Sequence, residues 1–238
     1  LFRRGGTLPL SEVLPMLDDM GLQVVTEYPY EIDVDGEAMS IQDLEVRPGA
    51  NAQLSDEAIG HFIEAFGRAW RGELENDGFN RLVLAAGLRW KQVQMLRAYC
   101  KYLMQLGVPF SQSYVEATLA RYPLLARLLV EYFEARFDPA RGKAGKGGHA
   151  DAGSLASQLE GLAQGDAAAL AAVKPVIAAR GGAREAQGEA VRNALKTLLD
   201  RVKSLDEDRI LRSFMGVIDA TLRTNYYIDY VDGRRKDG

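Results

Sequence analysis

Apolar residues along this chain keep two different rhythms, and the change between them falls near residue 50. Before it the runs are short and alternating. LFRR reads as a strand, and SEVLPMLDDM reads as a short helix with Ser11 as its N-cap and Gly21 as its left-handed stop. LQVVTEY and EIDVDGEAMSIQDLEV read as two further strands, with Asp35-Gly36 as a hairpin turn between alternating segments. The order strand, helix, strand, strand predicts a small sheet covered on one face by a helix.

After RPGANAQL the apolar residues recur at steps of three and four. Ser55 is placed to cap a helix whose Ile59, Phe62, Ile63, Phe66 and Trp70 form one stripe, predicted to be buried. GELENDGFN interrupts. RLVLAAGL is then a short helix, and a longer one follows with Trp90, Val93, Leu96, Cys100, Leu103 and Met104 on one face until Gly107 and Pro109 stop it. Ser111 opens the next helix, and Pro123 stands in the first turn of its successor, which runs to Phe137. Short connections predict antiparallel or steeply crossed neighbours. Trp90 is expected to be buried among these helices, and Arg97 and Lys101, one turn apart, to be exposed.

From Asp138 to Gly153 the rhythm stops, and DPARGKAGKGGHADAG has the composition of flexible chain, so mobility is expected from Arg141 to Gly153. Residues 154–190 are Ala-rich, with Gly161, Gly165, Pro175, Gly181, Gly182 and Gly188 predicted to divide a helix into pieces. AVRNALKTLLDRVKSL is helical. Ser204 or Asp206 caps a last helix carrying Ile210, Leu211, Phe214, Val217, Ile218 and Leu222 as its stripe. The expected architecture is α+β: a βαββ module over 1–50, a helical cassette over 51–138, a flexible linker over 139–153 and a C-terminal helical segment over 154–238.

Composition narrows the function classes. With 238 residues, 47% hydrophobic and 26% charged, and a mean hydropathy of -0.17, the chain has material for two small globular domains. Its net charge of -4 hides a split: Lys and Arg against Asp and Glu number 5 and 16 over residues 1–79, 11 and 4 over 80–150, and 13 and 13 over 151–238. A basic middle suits phosphate, but the acidic first section repels a polyanion, so docking within or between subunits is expected and nucleic acid is not. One cysteine, Cys100, on the apolar side of a helix, fits a reducing compartment and a cytoplasmic location. No run approaches the ~20 apolar residues of a membrane span, and no signal-peptide pattern opens the chain. A start at Leu1 and a polar end, DGRRKDG, suggest a piece of a longer protein whose first strand continues N-terminally.

Candidate chemistry fails residue by residue. ARGKAGKGG lacks the spacing of a phosphate loop, and Gly147 follows Lys146 where a hydroxyl is required. Glu31, Asp33, Asp35 and Gly36 fit a calcium loop until its twelfth position, which is Gln42. His61 and His149 are the only histidines and lie on different elements, so neither a transition-metal site nor a Ser-His-Asp set is expected. No GxGxxG occurs for a dinucleotide. Within Phe79 to Pro139 the carboxylates before Asp138 are Glu116, Glu131 and Glu134, each expected to be solvated, and the aromatics are expected to be packing residues. No catalytic, cofactor-binding or metal-binding residue is assigned.

GGTLPLSEVLPMLDDMGLQVVTEYPYEI, the stretch Phe79 to Pro139, and LDEDRILRSFMGVIDATLRTNYY resemble, in this order, the large bacterial NAD-dependent glutamate dehydrogenases. The resemblance implies a ferredoxin-like (ACT-like) module and helical scaffold upstream of a catalytic domain. It implies a parent homo-oligomer that converts L-glutamate, NAD and water to 2-oxoglutarate, ammonia and NADH. The family's glutamate-binding lysines, catalytic Asp and dinucleotide glycines match nothing here, so NAD is a cofactor of the parent and this piece is expected to be inactive. In ACT-like modules the turn after the first strand can hold an amino acid, which makes Arg4, Gly5, Gly6 and Thr7 the candidate effector turn. Partners would be the rest of the parent polypeptide and its other subunits. The alternative is a free-standing helical adaptor for an acidic protein partner.

Overall fold

The structure, a computed structural model, describes residues 1–4, 9–141, 150–228, 230–231 and 234–235. Strands β1 (Phe2–Arg4), β2 (Leu22–Val34) and β3 (Glu37–Pro48) form an antiparallel sheet in the order β1-β3-β2, and α1 (Leu10–Asp19) lies between the first two in sequence. Asp35 and Gly36, with φ of 56° and 81°, make the tight β2–β3 turn, and the Gly36 amide donates to Asp33 Oδ1 at 2.9 Å. Gly21, at φ 80°, ends α1 as expected. The start of α1 differs: Pro9 takes the cap position and Leu10 is the first helical residue, so Ser11 lies inside the first turn.

The β2–β3 register shifts by one residue between Val24 and Thr26, a β-bulge. Leu22 and Val24 therefore share a face with Leu44, toward α1, where Val13, Leu17, Leu22, Ala58 and Leu84 form the core. Beyond the bulge Tyr28, Tyr30 and Ile32 lie on the other face with Ile41 and Met39, and the two tyrosines are more than half exposed.

That core also explains why the first compact unit, Leu1–Gln94, does not stop near residue 50. Ala58 of α2 (Asp56–Trp70) and Leu84 of α3 (Arg81–Ala85) complete the apolar cluster begun by α1 and the sheet. Ser55 caps α2 by accepting from the Ala58 amide at 3.2 Å. The predicted stripe of α2 is only partly right. Phe62 and Phe66 pack on the core, whereas Ile59, Ile63 and Trp70 are exposed, because the helix approaches the core through the small residues Ala58 and Ala65.

Among its described residues the second unit, Met95–Gly238, is mainly helical, with a two-stranded pairing of β4 (Tyr230–Val231) with β5 (Arg234–Arg235). Its helices are most of α4 (Trp90–Gln105), then α5 (Gln112–Arg121), α6 (Pro123–Phe137), α7 (Ala150–Leu162), α8 (Ala167–Ala179), α9 (Arg184–Leu199) and α10 (Leu205–Ala220). Ser111 and Ser204 cap α5 and α10, and Pro123 opens α6. α6 is buried on every side from Leu125 to Phe133 and packs closely against α9, which also holds α8. Left-handed Gly165 and Gly181 divide α7, α8 and α9, but Gly161, Pro175 and Gly188 lie within helices and interrupt nothing. Of the expected linker, 142–149 lie outside the described residues; α7 already starts at Ala150, and Arg141 is buried.

Candidate functional site

Of the four residues of the predicted effector turn, Arg4 is exposed at the end of β1, paired in register with Met39. Gly5, Gly6 and Thr7 lie outside the described residues. The assembled groups that the structure does describe are elsewhere, in the helical unit, and they correct three expectations.

The first correction is Glu131, expected in solvent and found 1% exposed at the centre of α6. A carboxylate there is tolerable only if it is paired. Arg141 Nη1 donates to Glu131 Oε1 at 2.5 Å, Arg180 Nη1 reaches the same oxygen at 2.8 Å, and Arg127 Nη2 stands 3.7 Å from Oε2. Arg141 also donates to Glu134 Oε2 at 2.9 Å, and its Nε lies 3.8 Å from Asp138. Gln158 accepts from Arg127 at 3.1 Å, and Gln187 accepts from Arg141 at 3.3 Å and donates to the Gly182 carbonyl at 2.8 Å. Burial alone would push the Glu131 carboxyl up; the charges of Arg141, Arg127 and Arg180 and the Arg141 hydrogen bond outweigh it and hold the group below its ordinary value. Both hydrogen bonds fall on Oε1, while among the described residues the buried Oε2 has only the Arg127 charge beside it; an anion held by three arginines inside a buried helix packing acts as a clasp. With its neighbours it ties α6 to the turn after it, to α7, to the end of α8 and to the start of α9.

Arg184 extends the clasp by donating to the carbonyls of Arg136, Asp138 and Arg141, where the last carbonyls of α6 lack helical partners. The second correction is Arg97, expected on the surface and found 3% exposed; Lys101 is exposed as expected. Arg97, Arg127 and Arg141 thus lie inside, and much of the basic surplus of residues 80–150 serves packing.

A second group gathers on Asp219 of α10. It accepts from the Tyr132 hydroxyl and from Arg136 at 3.2 Å, and Arg192 reaches its other oxygen at 3.3 Å. Burial, then the Asp219 hydrogen bond and charge, push the Tyr132 hydroxyl up, so it stays a donor. Next to it Phe133 meets Tyr226 edge-on at 5.2 Å and stacks with Tyr227 at 6.2 Å, and Tyr99 donates to or accepts from Thr221 at 2.9 Å. Asp219 therefore fastens α10 to α6, and aromatic contacts fasten the segment after it.

The third correction is Trp90, half-buried in the first unit. Its Nε1 donates to Glu64 at 2.8 Å and the Arg68 guanidinium stands 4.0 Å over its ring. Cys100 is buried. His61 is half-buried, and burial followed by the Arg89 charge lowers its pKa. Among the described residues no group of three His, Cys, Asp or Glu is placed to hold a metal, and no helix is long and apolar enough to cross a membrane.

Comparison with known proteins resolves the chain into three matched segments. Residues 1–59 match the family model described as glutamate dehydrogenase, ACT3 domain; 74–139 match glutamate dehydrogenase, helical motif 3; and 194–238 match the bacterial NAD-glutamate dehydrogenase catalytic domain. The chain is 39% identical over all 238 of its residues to the NAD-specific glutamate dehydrogenase of Halomonas elongata. It is 38% identical over 234 residues, 95% of its length, to that of Mycobacterium tuberculosis, and 32% identical over 99% of its length to that of Pseudomonas aeruginosa. It spans 12% of the length of each of these relatives. The third segment extends the expectation of a purely upstream piece, since the last residues align with the catalytic-domain model itself. Glu131 lies in the matched helical motif, and Asp219, Tyr226 and Tyr227 lie in the catalytic-domain match.

Proposed function

We propose that this chain is the scaffolding and regulatory segment of an NAD-dependent glutamate dehydrogenase. The parent enzyme oxidises L-glutamate with NAD and water to 2-oxoglutarate, ammonia and NADH, as a cytoplasmic homo-oligomer, while this segment supplies no acid, base or dinucleotide site. The observation that carries the reading is identity along the whole chain to proteins named NAD-specific glutamate dehydrogenase. The free-standing adaptor has no comparable support.

The structural part of the proposal is specific. Glu131 and its arginines make α6 a fixed post, and Asp219 with Tyr226 and Tyr227 attaches to that post the segment that aligns with the catalytic domain. The segment's partners would be the rest of the parent polypeptide and its other subunits, with an amino-acid effector at the turn of Arg4, Gly5, Gly6 and Thr7. The charge split between 1–79 and 80–150 supports contacts of opposite sign, reduced by the arginines that are buried.

The test compares the 238-residue chain with the parent polypeptide. The parent should produce NADH from glutamate; the chain alone should neither produce it nor bind NAD. Glutamate-dependent NADH production by the chain alone, or none by the parent, overturns the reading. In the parent, Asp219→Asn should lower turnover, and unchanged kinetics would remove the attachment role.

A further inference from the structure

A cavity of about 270 Å³ opens in the helical unit where the start of α6, the end of α7, the start of α8 and the end of α9 meet. Its size is near the lower end of the ~300–1,000 Å³ range of small-molecule pockets. The walls are mostly apolar, formed by Leu124, Leu125, Leu162 and Leu198; two cations, Arg121 and Arg201, and one carboxylate, Asp166, also line it. Both arginine side chains are about half exposed, 60% and 45%.

Each guanidinium is oriented by one carboxylate. Arg121 pairs with Glu207, whose side chain is 4% exposed and which also accepts from the Tyr122 hydroxyl at 2.7 Å. Burial, followed by that bond and the Glu207 charge, pushes the Tyr122 hydroxyl up to about 12, so it remains a donor. Arg201 pairs with Asp166 at 2.8 Å, and Asp166 also accepts from the amides of Ala168 and Ala169 at 3.0 and 3.1 Å. A guanidinium offers five N–H donors in a plane, so one partner aims it without exhausting it. Both carboxylates, by contrast, already serve two or more donors. The cavity thus presents directed donors beside hydrocarbon. The start of α6 adds to this polarity, since its cap residue Tyr122 makes no side-chain capping bond.

We propose that this cavity binds a small apolar monocarboxylate, its head on Arg121 and Arg201 and its short hydrocarbon chain against the leucines. A phosphate would find the same cations but set its further charge against apolar walls, and a neutral hydrocarbon would leave the guanidiniums unused. The lining draws Arg121 to Leu125 from the matched helical motif and Leu198 and Arg201 from the catalytic-domain match, so an occupant bridges the two. Binding stands apart from the function proposed above; any effect on turnover rests on that reading.

The experiment titrates the 238-residue chain by calorimetry with three probes of one shape: 4-methylpentanoate, leucine, and the uncharged 4-methylpentanamide. At least one of the two acids should bind saturably at one site, and the amide should not; the tighter acid tells an acyl acid from an amino acid as the source. Arg201→Met should weaken binding at least about tenfold, and Val202→Phe, which fills the cavity with both arginines intact, should abolish it. Arg212→Met removes a comparably exposed arginine with its ion pairs to Asp200 and Asp208, both at 2.8 Å, and should change nothing. Circular dichroism verifies that each variant is folded. No binding of either acid to the folded chain, equal binding of the amide, or full binding in folded Arg201→Met overturns the site.

Discussion

The two compact units handle charge in opposite ways. In Leu1–Gln94 the core is apolar, built on Val13, Leu17, Leu22, Ala58 and Leu84, and the ion pairs, such as Arg68 with Glu64 and Arg71 with Glu73, stand at the surface. In Met95–Gly238 a carboxylate sits at the centre of the most deeply packed helix, held by arginines that arrive from the turn after α6 and from the end of α8. Apolar burial is non-directional and tolerates many partners, whereas a buried ion pair is favourable only in one arrangement. The first unit is therefore held by bulk packing, and the second also by a geometric condition on where three arginines must be.

The contrast sets four expectations, from the largest effect to the smallest. Glu131→Gln should lower the stability of the helical unit by about 3–5 kcal/mol at neutral pH, the cost of leaving buried cations without their partner. Because the folded pKa of Glu131 is held below 4.5, its contribution is complete above the unfolded value and fades as pH falls through the folded one. Urea unfolding should accordingly show wild type losing its advantage over the variant in acid below pH 4.5, and a constant gap down to strongly acidic pH would break the comparison.

Leu17→Ala in the first unit should cost about 2–5 kcal/mol. Unlike the Glu131 effect, this loss should not change with acid or salt. A strong ionic-strength dependence would mean the first core is not apolar bookwork alone but leans on charge. Trp90→Ala should cost less than the ~3–5 kcal/mol of a fully buried ring. About 1–2 kcal/mol is expected from its bond to Glu64 and its contact with Arg68. Thermal unfolding of Trp90→Phe, which keeps the ring face and loses the donor, separates the two. Last, Arg71→Met removes a surface pair with Glu73 and should leave the unfolding midpoint unchanged within error.

Much of this fold was legible because its signals are local. Ser55, Ser111 and Ser204 cap helices, Pro123 opens one, and Asp35-Gly36 turns a hairpin through conformations that each residue type favours by itself. What was not legible depends on partners distant in sequence. Ile59 and Ile63 have the right spacing for a buried stripe, yet Ala58 and Ala65 are the residues buried, and the positions of α1, β2 and α3 decide between those faces. Glu131 was read as solvated because most helical glutamates are. A signal was present, since PLLARLLVEYFEARF is apolar nearly all round, which marks a buried helix, and a charge at its centre then demands a partner. Arg127 supplies one at four residues' distance, but Arg180 is forty-nine residues away and no spacing rule reaches it. Of the candidate effector turn, Arg4 alone is among the described residues, and Gly5, Gly6 and Thr7 lie outside them.

The bulge at Val24/Thr26 makes strand β2 a two-part code in which odd and even positions exchange meaning halfway along. Up to Val24 the even residues lie on the face of α1; beyond it the odd residues Glu27, Pro29 and Glu31 lie on that face of the sheet, the last two exposed, and the tyrosines lie on the other. Substitution changes one letter of such a code, and removing Val25 would delete only the extra letter: Val24 opposite Val46 and Thr26 opposite Glu45 would become consecutive pairs, every later residue would keep its partner and face, and the local kink alone would be lost. Length is consequently a stricter constraint beyond the bulge than at it: from Thr26 to Val34 every residue has a partner on β3, so losing one there would slip the register and turn the residues on one side of the cut to the opposite face.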